Sequence, residues 1–313
     1  MKKLLAVVLT LILIIGAAGC ASKTDTAGTA EQNSGGGKYK VYLITMDQMD
    51  QHWVTVDQGA KKAAQELGNI DYTWLAPDVK DDAKQIESIN NAIAGGADAI
   101  LLAANGPTAV TSALKEAEAE GIKIIYVDSP ADFPAVQTLA TDNEAAGKTA
   151  GEEMLKALTA KGITSGKIGI VNVNASTAST VAREKGFRAA FEGKGFEILQ
   201  TQYGDGDAAK SKDIAANYIT EGVVGIFGGN EGSTVGTGNA IKEAGGEVVG
   251  VGFDKSDTIL QLIKEGHLLA TMSQNPDVMG YEGMKTAAKV LEGGSVDKAY
   301  VDTGVSVITK DKL

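Results

Sequence analysis

The chain has 313 residues and carries 40 acidic against 29 basic side chains, a formal net charge of −11. A surface of this charge repels nucleic acid and anionic lipid, so the composition argues against a polyanion-binding function and predicts no nucleic-acid partner. Cys20 is the single cysteine, which excludes a disulfide bond within the chain.

The N-terminal residues have the order of an export signal. Lys2 and Lys3 precede an apolar run, and small residues then lead to Cys20. The apolar run is shorter than the about 20 residues that a membrane-spanning helix needs. The ending AAGC resembles the lipobox of bacterial lipoproteins, so residues 1–19 are predicted to be a lipoprotein signal peptide. Cys20 is then lipidated and anchors the exported chain to the outer face of the bacterial cell membrane; an ordinary secretory signal with an incidental cysteine is the alternative.

The segment after Cys20, ASKTDTAGTAEQNSGGG, is small and polar and has no apolar period. Such a segment cannot bury enough surface to offset its chain entropy. Residues 20–37 are therefore predicted to be the lipidated cysteine and a flexible tether. Loss of residues 1–19 removes two lysines, which leaves 27 basic against 40 acidic residues and a net charge of −13 in the mature chain.

From Lys38 onward, short apolar runs alternate with segments of helical apolar spacing. The runs predict ten strands: KVYLITM, DYTWLA, AILLAA, KIIYVDS, TLATD, KIGIVNVN, FEILQTQY, GIFGGN, EVVGVGFD and LLATMSQ. Between most of them, segments such as AVTSALKEAEAEG have apolar residues three and four apart and end in Gly. This alternation indicates parallel sheets covered on both faces. Because about 275 residues exceed one core, the predicted fold class is α/β with two doubly wound parallel-sheet domains.

Polar side chains stand at the carboxyl ends of nearly all these strands, where open α/β sheets bind ligands. In chain order they are Asp47, Gln48, Asp50, Gln51, His52, Trp53, Asn105, Asp128, Ser129, Thr141, Asp142, Asn143, Asn172, Asn174, Arg183, Asn230, Asp254 and Gln274. Each alone is readily explained as the N-cap of the following helix. As a set, they indicate a polyhydroxylated ligand, because carboxylates accept hydroxyl protons while amides and a guanidinium supply matching groups. Trp53 offers a flat face to a sugar ring.

Five segments carry a resemblance to a known family: VDQGAKKAAQELG, ATDNEAAGKTAGE, AREKGFRAAF, GVGFD and ATMSQNPDVMGYEGMKTAAKVLEG. Over residues 38–313 the chain resembles the ribose-binding-protein branch of type I periplasmic binding proteins, the solute receptors of ATP-driven sugar importers. The resemblance implies two lobes joined by a three-segment hinge near residues 141, 274 and 303. The N-terminal lobe is expected to comprise 38–141 plus 275–303, and the C-terminal lobe 142–274 plus 304–313.

The resemblance also implies a set of ligand-binding residues. It places sugar contacts at Asp128, Arg183, Asn230, Asp254 and Gln274, ring packing at His52 and Trp53, and a further contact near the hinge at Thr141. The strand ends add Asp50, Asn105 and Ser129 to the predicted set.

Three positions depart from the family pattern. Ser129 stands where ribose binders usually carry a second Arg, Ala208 replaces a ring-packing aromatic, and His52 replaces one member of a Phe pair. These departures weaken the case for ribose itself. They favour a larger, deoxygenated or differently substituted sugar.

Motifs of other chemistries are incomplete. The GKT motif has Asp142 where a phosphate-binding loop needs its first glycine, and no G-x-G-x-x-G follows the first strand. The two histidines, His52 and His267, are far apart, which gives no local metal-ligand spacing, and no G-x-S-x-G occurs. The sequence therefore predicts a non-enzyme without cofactor or metal. An acid/base pair of Asp128 and Asp254 is the remaining enzyme alternative.

The predicted function is capture of a pentose or hexose by an extracytoplasmic solute-binding lipoprotein that closes on its sugar and delivers it to an ABC permease. A sugar sensor feeding a membrane receptor kinase or chemotaxis-type signalling uses the same pocket and stays open as an alternative. A DNA-binding repressor with this core needs a helix-turn-helix where the chain has its signal and tether. The protein is expected to be a monomer whose partners are the sugar and the permease, and to meet the membrane only through its lipid.

Overall fold

Two mostly parallel sheets organise residues 38–313, the part of the chain that the computed structural model describes. The predicted signal peptide, the lipidated Cys20 and the tether fall in residues 1–37 and so lie outside the described residues. Between residues 38 and 313, no helix combines the length and the apolar character needed to cross a membrane.

The regular elements follow the alternation of strand and helix that the sequence predicts. In chain order they are β1 (Tyr39–Ile44), α1 (Gln51–Leu67), β2 (Ile70–Leu75), α2 (Asp82–Ala94), β3 (Ala99–Leu102), α3 (Thr111–Ala119), β4 (Lys123–Val127), β5 (Gln137–Ala140), α4 (Asn143–Ala160), β6 (Gly166–Asn172), α5 (Ala178–Ala190), β7 (Phe196–Ile198), β8 (Gln202–Tyr203), α6 (Ala208–Thr220), β9 (Val223–Gly228), α7 (Glu231–Glu243), β10 (Val249–Phe253), α8 (Asp257–Glu265), β11 (Ala270–Gln274), α9 (Pro276–Leu291), β12 (Tyr300–Asp302), β13 (Val305–Thr309) and a 3-10 turn (Lys310–Lys312).

The first sheet is wholly parallel and has the strand order β12-β5-β4-β3-β1-β2. Both of its faces are buried, because successive residues of a strand point to opposite sides. Leu43 and Leu101 pack in one cluster with residues of α1 and α9, whereas Ile44 and Leu102 pack in another with residues of α2 and α3. The continuous apolar runs of the sequence thus correspond to strands covered on both sides.

The second sheet has the order β13-β11-β10-β9-β6-β7, and β8 also pairs with β6. Its pairs are parallel except that β13 runs antiparallel to β11. The ten predicted strands correspond to β1 through β11, with the run FEILQTQY covering both β7 and β8. The sequence did not predict β12 and β13, since both are short strands with no fully buried residue. The predicted fold class is confirmed.

The chain passes between the two sheets three times, from β5 to α4, from β11 to α9 and from β12 to β13. Side chains join these crossings. The Thr141 hydroxyl donates to Oε1 of Gln274 at 2.8 Å, and Nδ2 of Asn275 donates to the Thr303 carbonyl oxygen at 2.8 Å. The lobe boundaries drawn from the sequence stay a prediction.

The glycine of the GKT motif lies where α4 and α5 come into close contact. A methyl group added at Gly147 would overlap the carbonyl oxygen of Arg183, and one added at Gly186 would overlap that of Glu144. The two glycines therefore let the helix backbones approach. The glycine of GKT has a packing role, and its contact fixes the helix that carries Arg183.

Candidate functional site

An inner cavity of about 20 Å³ lies where strand ends from both sheets meet. This volume is enough for about one water molecule. Its lining contains eight of the predicted ligand-binding residues: Asp50, His52, Trp53, Asp128, Arg183, Asn230, Asp254 and Gln274. The remaining lining residues are Met46, Lys80, Val173, Ser179 and Thr180.

Two carboxylates reach the cavity from opposite sheets, Asp128 directly after β4 and Asp254 directly after β10. Both are buried, and both have a positive φ, 67° and 72° respectively. A non-glycine residue in a sparsely populated backbone region costs roughly 1–3 kcal/mol. In each case the backbone N–H donates to the adjacent strand, at 2.9 Å to the carbonyl oxygen of Leu139 or Met272. The same backbone geometry thus brings one carboxylate from each sheet to the cavity.

The imidazole of His52 lies between these carboxylates. Its Nε2 is 3.0 Å from Oδ2 of Asp128, although it makes no hydrogen bond among the described residues, and its Nδ1 is 3.4 Å from Oδ1 of Asp254. Burial lowers the pKa of the imidazole, but Asp254 and Asp128 together outweigh it and raise the pKa to about 10. For Asp254, burial raises the pKa, but His52 and Arg183 bring it well below the ordinary value. At neutral pH the pair is therefore imidazolium and carboxylate.

Arg183, on α5, lines the cavity and has one edge of its guanidinium without a hydrogen-bond partner among the described residues. Its Nε donates to Oδ1 of Asn143 at 2.7 Å, and its Nη1 donates to the Gly229 carbonyl oxygen at 3.0 Å. The guanidinium carbon lies 4.3 Å from the centre of the Phe253 ring. Nη2 is buried, 3.8 Å from Asp128, and makes no hydrogen bond among the described residues. Two edges of the fork are thus fixed by the protein, and the third is available to a ligand.

Gln274 connects the cavity with the crossings. Its Nε2 donates to Oδ1 of Asp254 at 2.6 Å, and its Oε1 accepts from the Thr141 hydroxyl. Both ends of the amide are therefore engaged, which fixes its orientation. The hydrogen-bonded chain from Thr141 through Gln274 to Asp254 joins two crossings to one of the two carboxylates.

Lys80 lines the cavity although the sequence analysis did not select it. Its side chain is 6% exposed, and its Nζ contacts Asp47 and lies 2.8 Å from Oδ2 of Asp50. Burial lowers the pKa of Lys80, whereas Asp50 and Asp47 raise it, and the net shift is upward. Asp47 also accepts from Nε1 of Trp53 at 3.1 Å. Lys80 follows β2, so the rule applied to the other strand ends would have found it.

Glu231 is a second residue that the sequence analysis missed. It begins α7, and its Oε2 accepts the backbone N–H of His52 at 3.0 Å. Glu231, which follows β9 of the second sheet, thereby caps α1, which packs on the first sheet. The N-cap residue of α1, Asp50, makes no capping hydrogen bond itself. Burial, reinforced by Asp50 and Asp254, raises the pKa of Glu231 to about 7. Its place directly after Asn230 was the available signal.

Asn230 combines the two roles that the sequence left open. Its Oδ1 accepts from the Ser233 N–H at 3.1 Å and so caps α7, while its Nδ2 lies 3.4 Å from Oδ2 of Asp50. The cap orients the amide so that its NH₂ group faces the cleft. A capping role and a ligand-facing role are therefore compatible at this position.

Asn105, Ser129 and Thr141 lie outside the cavity lining. The Thr177 hydroxyl donates to the Asn105 carbonyl oxygen at 2.7 Å, and the Ser179 N–H donates to the Ser129 hydroxyl at 3.3 Å. These bonds join the ends of β3 and β4 to the start of α5. The ligand contacts predicted for Asn105, Ser129 and Thr141 stay predictions.

An outer cavity of about 730 Å³ opens beside the inner one. The two share Asp50 and Lys80, and Ala208 lies in the outer wall. The small side chain of Ala208 leaves this space unfilled. Within residues 38–313, no cluster of His, Cys, Asp and Glu has the arrangement of a metal site.

A family model and a full-length relative both match this chain. Residues 41–295 match the family described as periplasmic binding protein domain. The ribose import binding protein of Haemophilus influenzae is 30% identical over 316 residues, which cover 99% of this chain and 100% of that protein.

Two solved structures have the same architecture. A solute-binding protein of an ABC transporter from Agrobacterium vitis with bound D-fucose has a TM-score of 0.83 and 31% identity, covering 87% of this chain and 96% of that one. A carbohydrate transporter solute-binding protein from Agrobacterium radiobacter in complex with D-arabinose has a TM-score of 0.84 and 32% identity, covering 88% and 95%.

Proposed function

The chain belongs to the periplasmic binding protein family, whose relatives here are sugar-binding proteins of ABC transporters, and from that premise we propose that it captures one monosaccharide and delivers it to an ABC permease. In this proposal the lobes comprise 38–141 plus 275–303 and 142–274 plus 304–313. Cys20 carries the lipid that anchors the protein to the outer face of the cell membrane. The protein acts as a monomer, and its other partner is the permease.

The observation that carries the proposal is the pair Asp128 and Asp254. Two buried carboxylates, one from each sheet, line a common space with Arg183, whose Nη2 has no hydrogen-bond partner among the described residues. A sugar hydroxyl donates to a carboxylate and accepts from a guanidinium, so one ring can satisfy groups from both lobes. Only the closed form offers both sets of contacts, and the sugar therefore favours closure.

The charge state of Asp254 argues against a role as a general acid. A general acid needs a proton to donate near the working pH. The pKa of Asp254 lies well below its ordinary value, so this group stays a carboxylate. It is suited to accept a hydroxyl proton in a static hydrogen bond. We propose that the sugar leaves the site chemically unchanged.

The ligand we propose is a pentose or hexose. Ribose, D-fucose and D-arabinose are named with three of the relatives above, and all three have several hydroxyl groups on one ring. Ser129 and Ala208 distinguish this chain from the ribose-binder pattern. The space beside Ala208 favours a sugar with an added or altered substituent.

Thermal denaturation and calorimetry of the purified protein test the proposal. The panel is D-ribose, D-allose, D-arabinose, D-fucose and D-tagatose, and we expect at least one sugar to raise the melting temperature. At a sugar concentration one hundred times Kd, the expected stabilisation is about 2.7 kcal/mol. Failure of every panel sugar to bind contradicts the proposal. Recovery of an altered sugar, judged by mass and NMR, would instead favour the enzyme alternative.

A further inference from the structure

The position of His52 bears on how a ligand enters the site. Its ring lies within reach of Asp128 and Asp254, the two carboxylates assigned above to the sugar. The inner cavity beside it measures only about 20 Å³. Pockets for small molecules occupy roughly 300–1,000 Å³. With the lobes arranged as in this structure, a sugar that reaches both carboxylates takes the space and the contacts that the imidazole holds.

His52 is also attached to both sides of the cleft. Its own helix, α1, packs on the first sheet, and its backbone N–H donates to Glu231 of α7. Its side chain links Asp128, after β4, with Asp254, after β10. The ring thus makes, within the protein, the same cross-cleft bridge that we propose for the sugar.

The charges around the ring favour its protonated form. The charged groups around the inner cavity are Asp47 after β1, Asp50 before α1, Lys80 after β2, Asp128 after β4, Arg183 on α5, Glu231 at the start of α7 and Asp254 after β10. Lys255, Asp257 and Asp277 line a neighbouring cavity that His52 also borders. Lys80 is paired with Asp47 and Asp50, and Arg183 lies 3.8 Å from Asp128. Among the described residues, His52 is the basic group that lies within 4 Å of the Asp254 carboxylate, and Arg183 acts on it from farther away.

We propose that His52 is an internal competitor for the ligand: its imidazolium bridges Asp128 and Asp254, and a sugar binds by displacing it. This inference rests on the proposed function. Displacement separates the ring from its carboxylates, which lowers its affinity for a proton. Sugar binding therefore releases a proton at a pH between the values at which the free and the bridged imidazole titrate.

The first experiment needs no sugar. NMR of the imidazole carbons in the purified protein follows the protonation of the two histidines, and His267→Gln assigns the resonances. His267 is on the surface, 3.7 Å from Glu265, and lines neither the inner nor the outer cavity. We expect the His52 ring to stay protonated at pH 8. Titration of His52 near the ordinary value of about 6.5 overturns the bridge.

The second experiment measures proton release. Calorimetry at pH 8 in buffers of different ionisation enthalpy, with the panel sugar that binds most tightly, gives the number of protons released. We expect close to one proton for the wild type and for His267→Gln, and none for His52→Phe. The release must persist in Glu231→Gln, which removes a second group near His52 whose pKa is raised, to about 7.

The variant His52→Phe keeps a flat ring but cannot bridge the carboxylates. We expect it to bind the sugar roughly tenfold more tightly than the wild type, because a charge-assisted contact no longer has to be broken. If the wild type binds a sugar without releasing a proton, this inference fails and the proposed function stands. If neither protein binds any panel sugar, both fail. Wild-type binding with release of about one proton, together with tighter binding by His52→Phe, supports the competitor.

Discussion

Arg183→Lys tests how the guanidinium is used. Lysine keeps the positive charge near Asp128 but replaces a planar fork by a single ammonium group. In the wild type, Asn143 and Gly229 accept from two of the three nitrogens, and Nη2 of this cavity-lining side chain is left without a partner among the described residues. The substitution therefore removes one donor to the sugar and leaves either Asn143 or Gly229 without its donor.

The expected magnitudes follow from this assignment. A hydrogen bond to a charged group contributes about 1.5–3 kcal/mol, so the loss of the Nη2 contact raises the Kd for sugar roughly ten- to hundredfold. An acceptor left buried without a donor costs about 1–3 kcal/mol, so the free energy of unfolding falls by a similar amount. Calorimetry with the best panel sugar measures the first effect, and denaturant unfolding measures the second.

Arg188→Lys is the matched control. Arg188 lies on the same helix, but its partners are Glu184, Leu199 and Thr201, away from both cavities. We expect this control to bind sugar as the wild type does. If Arg183→Lys retains an affinity within about twofold of the wild type, Nη2 does not contact the sugar.

Three further predictions address other parts of the molecule. Because the folded protein raises the pKa of Glu231 from 4.5 to about 7, it binds this proton more tightly than the unfolded chain, and stability falls as pH rises through that interval. Glu231→Gln should therefore raise the melting temperature at pH 8 but not at pH 4; equal shifts at both values would contradict this. Gly147→Ala should reduce both stability and sugar affinity by forcing α5 away from α4, whereas the exposed Lys148→Ala should change neither. Cys20→Ala should release the protein from the membrane into the periplasm or medium with sugar binding intact, and retention on membranes would count against the anchor.

The apolar pattern was sufficient to predict the fold class. Strands β1 through β11 are apolar runs at regular spacing, and their burial between helices follows from that pattern. The edge strands β12 and β13 were missed, because their short, half-exposed sequences carry little apolar signal. The antiparallel direction of β13 depends on where the last crossing returns the chain, which local sequence does not encode.

The site was predictable as a list of strand ends but not as a network. The rule for carboxyl ends identified Asp128 and Asp254, yet it gave no sign of their positive φ or of the His52 ring between them. Trp53 was assigned to a sugar ring, and the structure also places it in the core of the first sheet. Contacts between residues far apart in sequence, such as Glu231 with His52, arise only when the two halves meet.

The hydrogen bonds from Thr141 through Gln274 to Asp254 have a consequence for anyone who re-engineers this protein as a sensor. Gln274 belongs to a crossing and lines the inner cavity, so we expect a substitution there to alter both the resting angle of the lobes and the choice of sugar. Selectivity and dynamic range would then change together, and neither could be optimised alone. The described residues that line the outer cavity around Ala208 include none from the three crossings, so we expect substitutions at Ala208 to alter selectivity while the signal of a reporter dye is preserved.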